Sequence, residues 1–136
     1  MQLKIIMMQV LIVDSSSEIV ERLEEILTEA NITTAIYNSF SYENAIRLFY
    51  EHEPDVVILC ANLRKNESMK LLSEIKSVIY KTVVIILSIN MDEYINEQCR
   101  LMGADYFLDK YRDFEKIPGI INVITVTNDI VNKTIN

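Results

Sequence analysis

The stretch VLIVDSSSEIVERLEEILTEA, residues 10–30, decides the fold class. It opens with a short continuous apolar run, Val10 to Val13, which is typical of a strand buried on both faces. Apolar residues then recur at helical spacing, so that one face of a helix carries Ile19, Val20, Leu23, Ile26, Leu27 and Ala30. Ser15 and Glu18 have the S-x-x-E spacing of a capping box, which predicts a tight turn between strand and helix.

The same strand-then-helix unit recurs along the chain. The apolar pattern predicts further strands over 33–40, 55–60, 83–88 and 106–108, and helices over 42–52, 69–79 and 92–102. The second helix is expected to bury Ala45, Ile46, Leu48 and Phe49, and the third to turn inward Met69, Leu72, Ile75, Val78 and Ile79. Gly103 is expected to end the fourth helix. A fifth helix is predicted from about Pro118, although its β-branched residues are weak helix formers.

Apolar strands that alternate with amphipathic helices predict an α/β domain, a doubly wound parallel sheet of five strands with five helices on its two faces. Residues 1–8 are expected to lead into the first strand, 9–126 to form the domain, and 127–136 to end the last helix and form a tail. Functional groups of such sheets gather at the carboxyl ends of the strands. The candidates there are Asp14, Ser15, Cys60, Asn62, Ser88, Asp109 and Lys110.

Composition narrows the function. A chain of 136 residues with 50% hydrophobic content suits one domain, and a formal charge of −7 argues against binding nucleic acid. No apolar run approaches the roughly 18 residues of a membrane span, and no signal-peptide cleavage site is evident, so a cytoplasmic protein is expected. Cys60 and Cys99 are expected to be reduced, and a single histidine, His52, offers no zinc-binding spacing.

Four stretches together carry a resemblance: VLIVDSS (10–16), PDVVILCANLRKN (54–66), VVIILSIN (83–90) and GADYFLDK (103–110). Their order and spacing resemble the signature blocks of response-regulator receiver domains, which have a flavodoxin-like topology. The resemblance implies a module of phosphorelay (two-component) signalling and not an enzyme. It implies as partner a histidine kinase or another regulator, and a possible homodimer through the fourth helix, fifth strand and fifth helix. The charge and the lack of a long apolar run predict no binding to nucleic acid or membrane.

In receiver domains, two acidic residues after the first strand and one aspartate after the third hold Mg²⁺, and that last aspartate accepts the phosphoryl group. The resemblance places Asp14 at the first acidic position, Ser15 at the second and Cys60 at the phosphoacceptor. Asn62 keeps a position whose backbone carbonyl usually ligates the metal. The resemblance thus implies an atypical receiver, or pseudo-receiver, that lacks its phosphoacceptor aspartate.

Five further positions bear on the switch that the resemblance implies. Ser88 matches the hydroxyl residue that senses the phosphoryl group, and Lys110 matches the lysine of the pocket. Ile89 stands where a small residue usually gives access to the acceptor, and Tyr111 replaces the proline that usually follows the lysine. Phe107 matches the aromatic residue that couples the pocket to the outer face.

The charges of this pocket predict weak metal binding. One carboxylate, Asp14, faces one lysine, Lys110, and Mg²⁺ prefers several oxygen ligands. No cofactor is therefore expected, with Asp14 and Asn62 as weak candidates for Mg²⁺, and Asp14 and Lys110 are expected to pair with each other. Cys60 leaves two interpretations open: a buried small residue in place of an aspartate no longer needed, or a redox-responsive thiol favoured by the nearby lysine.

Two other functional classes remain as alternatives. A small-molecule-binding or enzymatic domain could use the same fold, but Gly103 and Gly119 do not lie in a phosphate-binding loop, and no Cys–His pair is evident. A receiver phosphorylated at Asp55 or Asp109 is the other alternative. Asp55 begins its predicted strand far from the pocket, and the Asp109 side chain is expected to point away from Lys110.

Overall fold

The computed structural model describes residues 8–31, 33–63, 66–79, 81–89 and 93–135. Strands and helices alternate along these residues, and a single 3₁₀ turn at Phe114–Lys116 precedes the last helix. The strands are β1 (Met8–Val13), β2 (Thr33–Ser39), β3 (Val56–Cys60), β4 (Val83–Ser88) and β5 (Tyr106–Asp109). The helices are α1 (Ser17–Ala30), α2 (Tyr42–His52), α3 (Glu67–Val78), α4 (Glu93–Leu101) and α5 (Ile117–Ile135).

All five strands form one parallel sheet in the order β2-β1-β3-β4-β5. The strand order reverses between β1 and β3, which is where doubly wound sheets place their functional groups. The predicted fold, a doubly wound α/β domain with five strands and five helices, is confirmed. None of the helices within the described ranges is long and apolar enough to cross a membrane.

Apolar side chains form one core layer on each face of the sheet. Because successive residues of a strand point to opposite faces, Val10 and Ile12 of β1 pack in the layer with α1 and α5, whereas Leu11 and Val13 pack in the layer with α2 and α3. β3 is buried on both faces along its whole length. This burial explains why the strands appear in the sequence as continuous apolar runs.

The start of α1 differs from the prediction. Ser16, and not Ser15, is the N-cap: its backbone is extended and its hydroxyl accepts a hydrogen bond from the Ile19 N–H at 3.4 Å. The Asp14 carboxylate accepts the Ser16 N–H at 2.8 Å, which holds the turn one residue further along before the helix begins. The predicted capping box of Ser15 and Glu18 is therefore wrong, and Ser15 is exposed.

The inward face of α3 also differs from the prediction. Leu71 and Ser68 are buried, whereas Met69 is only half-buried and the Val78 side chain is 48% exposed. The reason is a polar contact: the Ser68 hydroxyl donates to the Cys60 carbonyl at 2.6 Å and accepts from the Leu63 N–H at 3.2 Å. The apolar pattern contains no signal for a buried serine. The inward face predicted from that pattern is therefore rotated relative to the observed one.

Most other predicted boundaries lie within two residues of the observed ones. α2 and β4 match the predicted ranges, although Ile46 and Leu48 of α2 are half-buried and not fully buried. β1 starts earlier than predicted, at Met8. Gly103 ends the fourth helix as predicted, with a positive φ of 102°. The predicted first residue of that helix, Asp92, lies outside the described residues.

Candidate functional site

Four strands bring polar side chains together at the carboxyl edge of the sheet. Asp14 directly follows β1, Cys60 and Ser88 are the last residues of β3 and β4, and Lys110 directly follows β5. The backbone extends the sheet ladder at this edge, because the Lys110 N–H donates to the Ser88 carbonyl at 2.9 Å. The parallel register therefore positions these residues at one end of the sheet.

Asp14 and Lys110 form a buried ion pair. The Lys110 ammonium lies 2.9 Å from Asp14 Oδ2 and donates a hydrogen bond to Oδ1 at 3.1 Å. The side chains are only 1% and 6% exposed, respectively. Oδ2 has the ion contact but no well-directed hydrogen bond, whereas Oδ1 also accepts the Ser16 N–H. The predicted pairing of these two side chains is present.

Lys110 also contacts Cys60. Its ammonium donates to Cys60 Sγ at 3.4 Å, and the Asn62 N–H donates to the same sulfur at 3.4 Å. Burial by itself would lower the pKa of Lys110, but the hydrogen bond to Asp14 and the contacts with Cys60 and Asp14 outweigh it and raise the pKa. The lysine therefore stays charged and bridges the carboxylate and the sulfur.

The Cys60 thiol stays protonated near neutral pH. Burial, followed by the negative charge of Asp14, raises its pKa above the ordinary value of 9.0. The Asn62 N–H and the Lys110 ammonium act in the opposite direction without reversing the shift. Because the thiolate is the reactive form of cysteine, this environment favours an inert side chain over a redox-active one.

The other predicted site residues are less closely assembled. Ser88 is buried at the end of β4, whereas Ser15 and Asn62 are exposed, and Asn62 contacts Cys60 through its backbone alone. Ile89, directly after β4, is 39% exposed. Within the described residues, the core of the site is thus Asp14, Cys60 and Lys110, with Ser88 beside it on the strand edge.

Phe107 and Tyr111 lie on the outer side of the site. Phe107 is half-buried and packs against the core layer that α2 and α3 cover. It also lines a shallow cavity together with residues of α4. The Tyr111 ring is 67% exposed. Its N–H donates to Asp109 Oδ1 at 2.9 Å, so the turn after Lys110 is held by an aspartate side chain.

The predictions from sequence missed the structural role of Asp109. Its carboxylate accepts the N–H groups of both Tyr111 and Arg112 at 2.9 Å, and its own N–H donates to the Asp113 carboxylate at 2.7 Å. Aspartate side chains in turns commonly accept a hydrogen bond from the backbone N–H two residues further along the chain, so an aspartate at a predicted turn is a recognisable signal for this arrangement. These contacts occupy Asp109 in the turn, away from Lys110.

Magnesium, which the family resemblance implies, does not fit these residues. Both oxygens of Asp14 already contact the Lys110 ammonium, and the other nearby donor, the Cys60 thiol, is soft and protonated. Mg²⁺ prefers hard oxygen ligands in a near-octahedral arrangement. The described part of the chain also contains no group of three or more acidic, histidine or cysteine side chains arranged to hold a metal ion.

Comparison with models of known protein families identifies one family. The sequence model of the response regulator receiver domain matches residues 10–122. A search of curated proteins finds no match. Three of the similar solved structures are receiver domains from bacteria. That of a Vibrio parahaemolyticus protein has a TM-score of 0.82 at 17% identity, over 95% of this chain and 98% of that chain.

A receiver domain protein from Clostridium thermocellum has a TM-score of 0.80 at 23% identity, over 92% of this chain and 99% of that chain. The receiver domain of a Francisella response regulator has a TM-score of 0.78 at 20% identity, over 89% and 98%. At these identities the structures establish the shared fold, and the sequence match establishes the family. The chain therefore belongs to the response regulator receiver domain family, whose members are signalling modules of two-component systems.

Proposed function

We propose that this receiver domain acts as a protein-interaction module in two-component signalling without aspartyl phosphorylation. One observation supports this most directly: the Lys110 ammonium lies 2.9 Å from the Asp14 carboxylate and 3.4 Å from Cys60 Sγ. A lysine already neutralised by a buried carboxylate, beside a neutral thiol, leaves neither a nucleophile nor a surplus of negative charge. The site is thus an atypical version of the receiver pocket.

The chemistry of phosphoryl transfer explains why these residues matter. Transfer depends on positioning and on cations that neutralise the charge spread over the phosphoryl oxygens. The cluster of Asp14, Lys110 and Cys60 has a net charge near zero and offers a single carboxylate, so a divalent cation has little to bind. A protonated thiol in place of an ionised carboxylate is also a poor acceptor for a phosphoryl group.

The ion pair then has a structural consequence. It joins the residue that follows β1 to the residue that follows β5, on two sides of the sheet's switch point. In our proposal this link holds the domain in one conformation whatever the state of a kinase. Signalling then depends on which protein binds the outer surface, a histidine kinase or another regulator, and on when it is present.

The surface formed by α4, β5 and α5 is the first candidate for such an interaction or for a homodimer. α4 exposes Tyr94 by 71% and Leu101 by 69%, and α5 exposes Val123 by 58% and Val126 by 52%. Large exposed apolar side chains are typical of protein-binding surfaces. The net charge of −7 disfavours nucleic acid, so a protein is the expected partner.

Intact mass spectrometry after incubation with Mg²⁺ and acetyl phosphate tests the proposal. We expect the wild-type chain to remain unmodified. The matched variant is Ser15→Asp with Cys60→Asp, which returns two carboxylates to the site. We expect this variant to bind Mg²⁺ measurably and to gain a phosphate adduct. A stoichiometric adduct on the wild-type chain would contradict the proposal, wherever it is attached.

A further inference from the structure

β2 is an edge strand of the sheet that lacks the usual protection. Its sequence, TTAIYNS over residues 33–39, contains no charged residue, no proline and no glycine. Natural edge strands are commonly short, charged or bulged, because their unpaired backbone groups would otherwise accept a further strand. The register shift of β2 against β1 lies at its start, beside Met8 and Gln9, and pairing is regular from Ala35 to Ser39. Most of this edge therefore has the geometry that a further strand requires.

The opposite edge of the sheet, β5, is protected. It has four residues, against seven in β2, and it ends in Asp109. The Lys110 N–H donates to the Ser88 carbonyl of β4, so Asp109, one residue earlier, directs its N–H away from β4. The Asp113 carboxylate accepts that N–H at 2.7 Å. A side chain thus occupies the outer edge of β5 at this residue.

Two residues of β2 direct their backbone groups outward. The Ser39 carbonyl accepts the Asp14 N–H at 3.1 Å, so the backbone groups of Ser39 face β1. Because successive residues of a strand alternate in this direction, Tyr37 also faces β1, whereas Ile36 and Asn38 face away from it. Asn38 is exposed, and within the described ranges no strand lies beyond β2. The N–H and carbonyl groups of Ile36 and Asn38 are thus available to another strand.

We propose that β2 pairs with β2 of a second copy of this chain, in an antiparallel arrangement with a two-fold axis at Tyr37. A strand that pairs with its own copy across a two-fold axis is antiparallel by symmetry. An axis at Ile36 would pair Asn38 with Thr34, which adjoins the register shift, whereas an axis at Tyr37 pairs Ile36 with Asn38 within the regular part. The proposal goes beyond the proposed function, and it does not involve the surface of α4, β5 and α5.

The sequence of β2 is self-complementary in this register. Ile36 of each copy lies opposite Asn38 of the other, and each such pair exchanges both of its backbone hydrogen bonds. Tyr37 lies on the face that α2 covers, and the two Tyr37 side chains meet at the axis. The small residues Ala35 and Ser39 oppose each other on either side and leave room for the rings. Aromatic cross-strand pairs stabilise a sheet, and no like charges oppose each other between the two strands.

Contacts within each copy hold the side chains of β2 in place. The Tyr37 ring stacks on His52, with ring centres 3.9 Å apart and an angle of 10° between the planes. Its hydroxyl donates to the Gln9 side-chain oxygen at 3.3 Å. The Asn38 amide donates to the Glu24 carboxylate, so this carboxylate is occupied within its own copy. Side chains that are ordered before association lower the entropy cost of forming the dimer.

Cysteine cross-linking tests the register. Across the proposed axis the Cα atoms of Tyr37 and its copy are about 4.5 Å apart, which suits a disulfide, whereas Asn38 and its copy are diagonal neighbours roughly 7–8 Å apart. Under mild oxidation we expect Tyr37→Cys to form at least about fivefold more disulfide-linked dimer than Asn38→Cys, measured by intact mass without reductant. The control is strict because Asn38 is the more exposed residue, so random collisions favour it. Equal yields, or more from Asn38→Cys, would overturn the proposal.

A proline at position 38 tests the backbone hydrogen bonds. Asn38→Pro removes the outward N–H, and proline is tolerated on an edge strand where that group faces away from the neighbouring strand. Asn38→Ala loses the same side chain but keeps the N–H. In sedimentation velocity we expect Asn38→Pro to weaken dimerisation by about tenfold or more and Asn38→Ala by less than about threefold. Equal effects of the two variants, or a wild-type chain that stays monomeric at all concentrations, would contradict the proposal.

Hydrogen exchange on the wild-type chain requires no variant. We expect the N–H groups of Ile36 and Asn38 to exchange rapidly in dilute protein and slowly in concentrated protein, and that of Tyr37 to change little. Added salt should strengthen the dimer, because each copy has a formal charge of −7. Exchange that does not depend on concentration would overturn the proposal. None of the substitutions alters Asp14 or Lys110, so failure of the dimer would leave the acetyl phosphate result and the proposed function unchanged.

Discussion

At the scale of single residues, Lys110 is the side chain on which the site depends. It is nearly fully buried, and the Asp14 carboxylate compensates its charge. The Cys60 sulfur accepts a hydrogen bond from its ammonium group. A buried ion pair is a weak source of net stability, but removing one partner leaves an uncompensated charge in a place that water cannot reach. The pair is therefore more sensitive to substitution than its contacts alone would suggest.

We expect Lys110→Met to lower the free energy of unfolding by about 3–5 kcal/mol, measured by urea denaturation near neutral pH, because Asp14 is left buried and unpaired. Lys116→Met is the matched control. Lys116 pairs with Asp113 but its side chain is 66% exposed, so we expect a loss below about 1 kcal/mol. Similar losses in the free energy of unfolding for the two variants would contradict the expectation that removing one partner of the buried pair costs more than removing one partner of the exposed pair.

The same lysine predicts an alkaline limit to stability. Because the pKa of Lys110 is raised in the folded protein, its contribution is fully present below the ordinary value of 10.5 and is lost as pH rises through the higher folded value. The raised pKa of Cys60 acts in the same direction from its ordinary value of 9.0, since the unfolded thiol ionises first. We expect stability to fall less steeply above pH 9.0 in Cys60→Ala than in the wild type. Identical slopes would contradict the raised pKa.

Cys60 and Cys99 should react slowly with iodoacetamide in the folded state. Both are buried, and burial is the first cause that raises the pKa of each thiol. We expect Cys60 to be labelled no faster than Cys99 near neutral pH, as followed by peptide mass spectrometry, and both to react readily after unfolding in urea. Rapid labelling of Cys60 alone would revive the redox-responsive alternative.

At the scale of secondary structure elements, the turn between β1 and α1 links the site to the fold. Asp14 accepts the Ser16 N–H and contacts Lys110, and Ser16 in turn caps α1 through the Ile19 N–H. The same carboxylate therefore takes part both in the ion pair and in the start of a helix. A change at Asp14 is expected to disturb both.

Two adjacent serines allow a direct test of the observed cap. We expect Ser16→Ala to lower the free energy of unfolding by about 1 kcal/mol, because the Ile19 N–H loses its hydrogen-bond acceptor. Ser15→Ala removes the same atom from an exposed side chain and should change stability by less than about 0.5 kcal/mol. Thermal and urea denaturation measure both. The reverse order of the two effects would support the capping box at Ser15.

At the scale of the whole molecule, function depends on which surface meets a partner. In our proposed function the first candidate is the apolar surface of α4, β5 and α5, which is available for self-association or for binding another protein.

Sedimentation velocity over a range of concentrations measures self-association. If the α4, β5 and α5 surface forms a homodimer, Leu101→Lys should weaken it strongly, because a charge would enter an apolar interface at a side chain that is 69% exposed in the monomer. Val78→Lys is the matched control, since this side chain is 48% exposed on α3, which does not belong to the α4, β5 and α5 surface. Equal effects of both variants, or a wild-type chain that stays monomeric at all concentrations, would exclude this dimer.

The order of strands and helices could be read from the sequence because it depends on local periodicity. The apolar run of β4 and the helical spacing of α2 are properties of neighbouring residues, so both elements were predicted with their observed bounds. The placement of candidate residues at strand ends follows from the same reasoning, since parallel strands bring their carboxyl ends to one edge. Cys60 was identified as a key position on that basis and from the family resemblance.

Only the tertiary structure decided what depends on contacts between distant residues. Ser68 rotates the buried face of α3 because it satisfies the Cys60 carbonyl, and Asp14 moves the cap of α1 from Ser15 to Ser16. Whether Cys60 is a thiolate or a thiol depends on the balance between burial, the charge of Asp14 and the ammonium of Lys110, which lies 50 residues away in the chain. Electrostatic and hydrogen-bonding partners are set by the fold, whereas apolar periodicity is set by the chain itself.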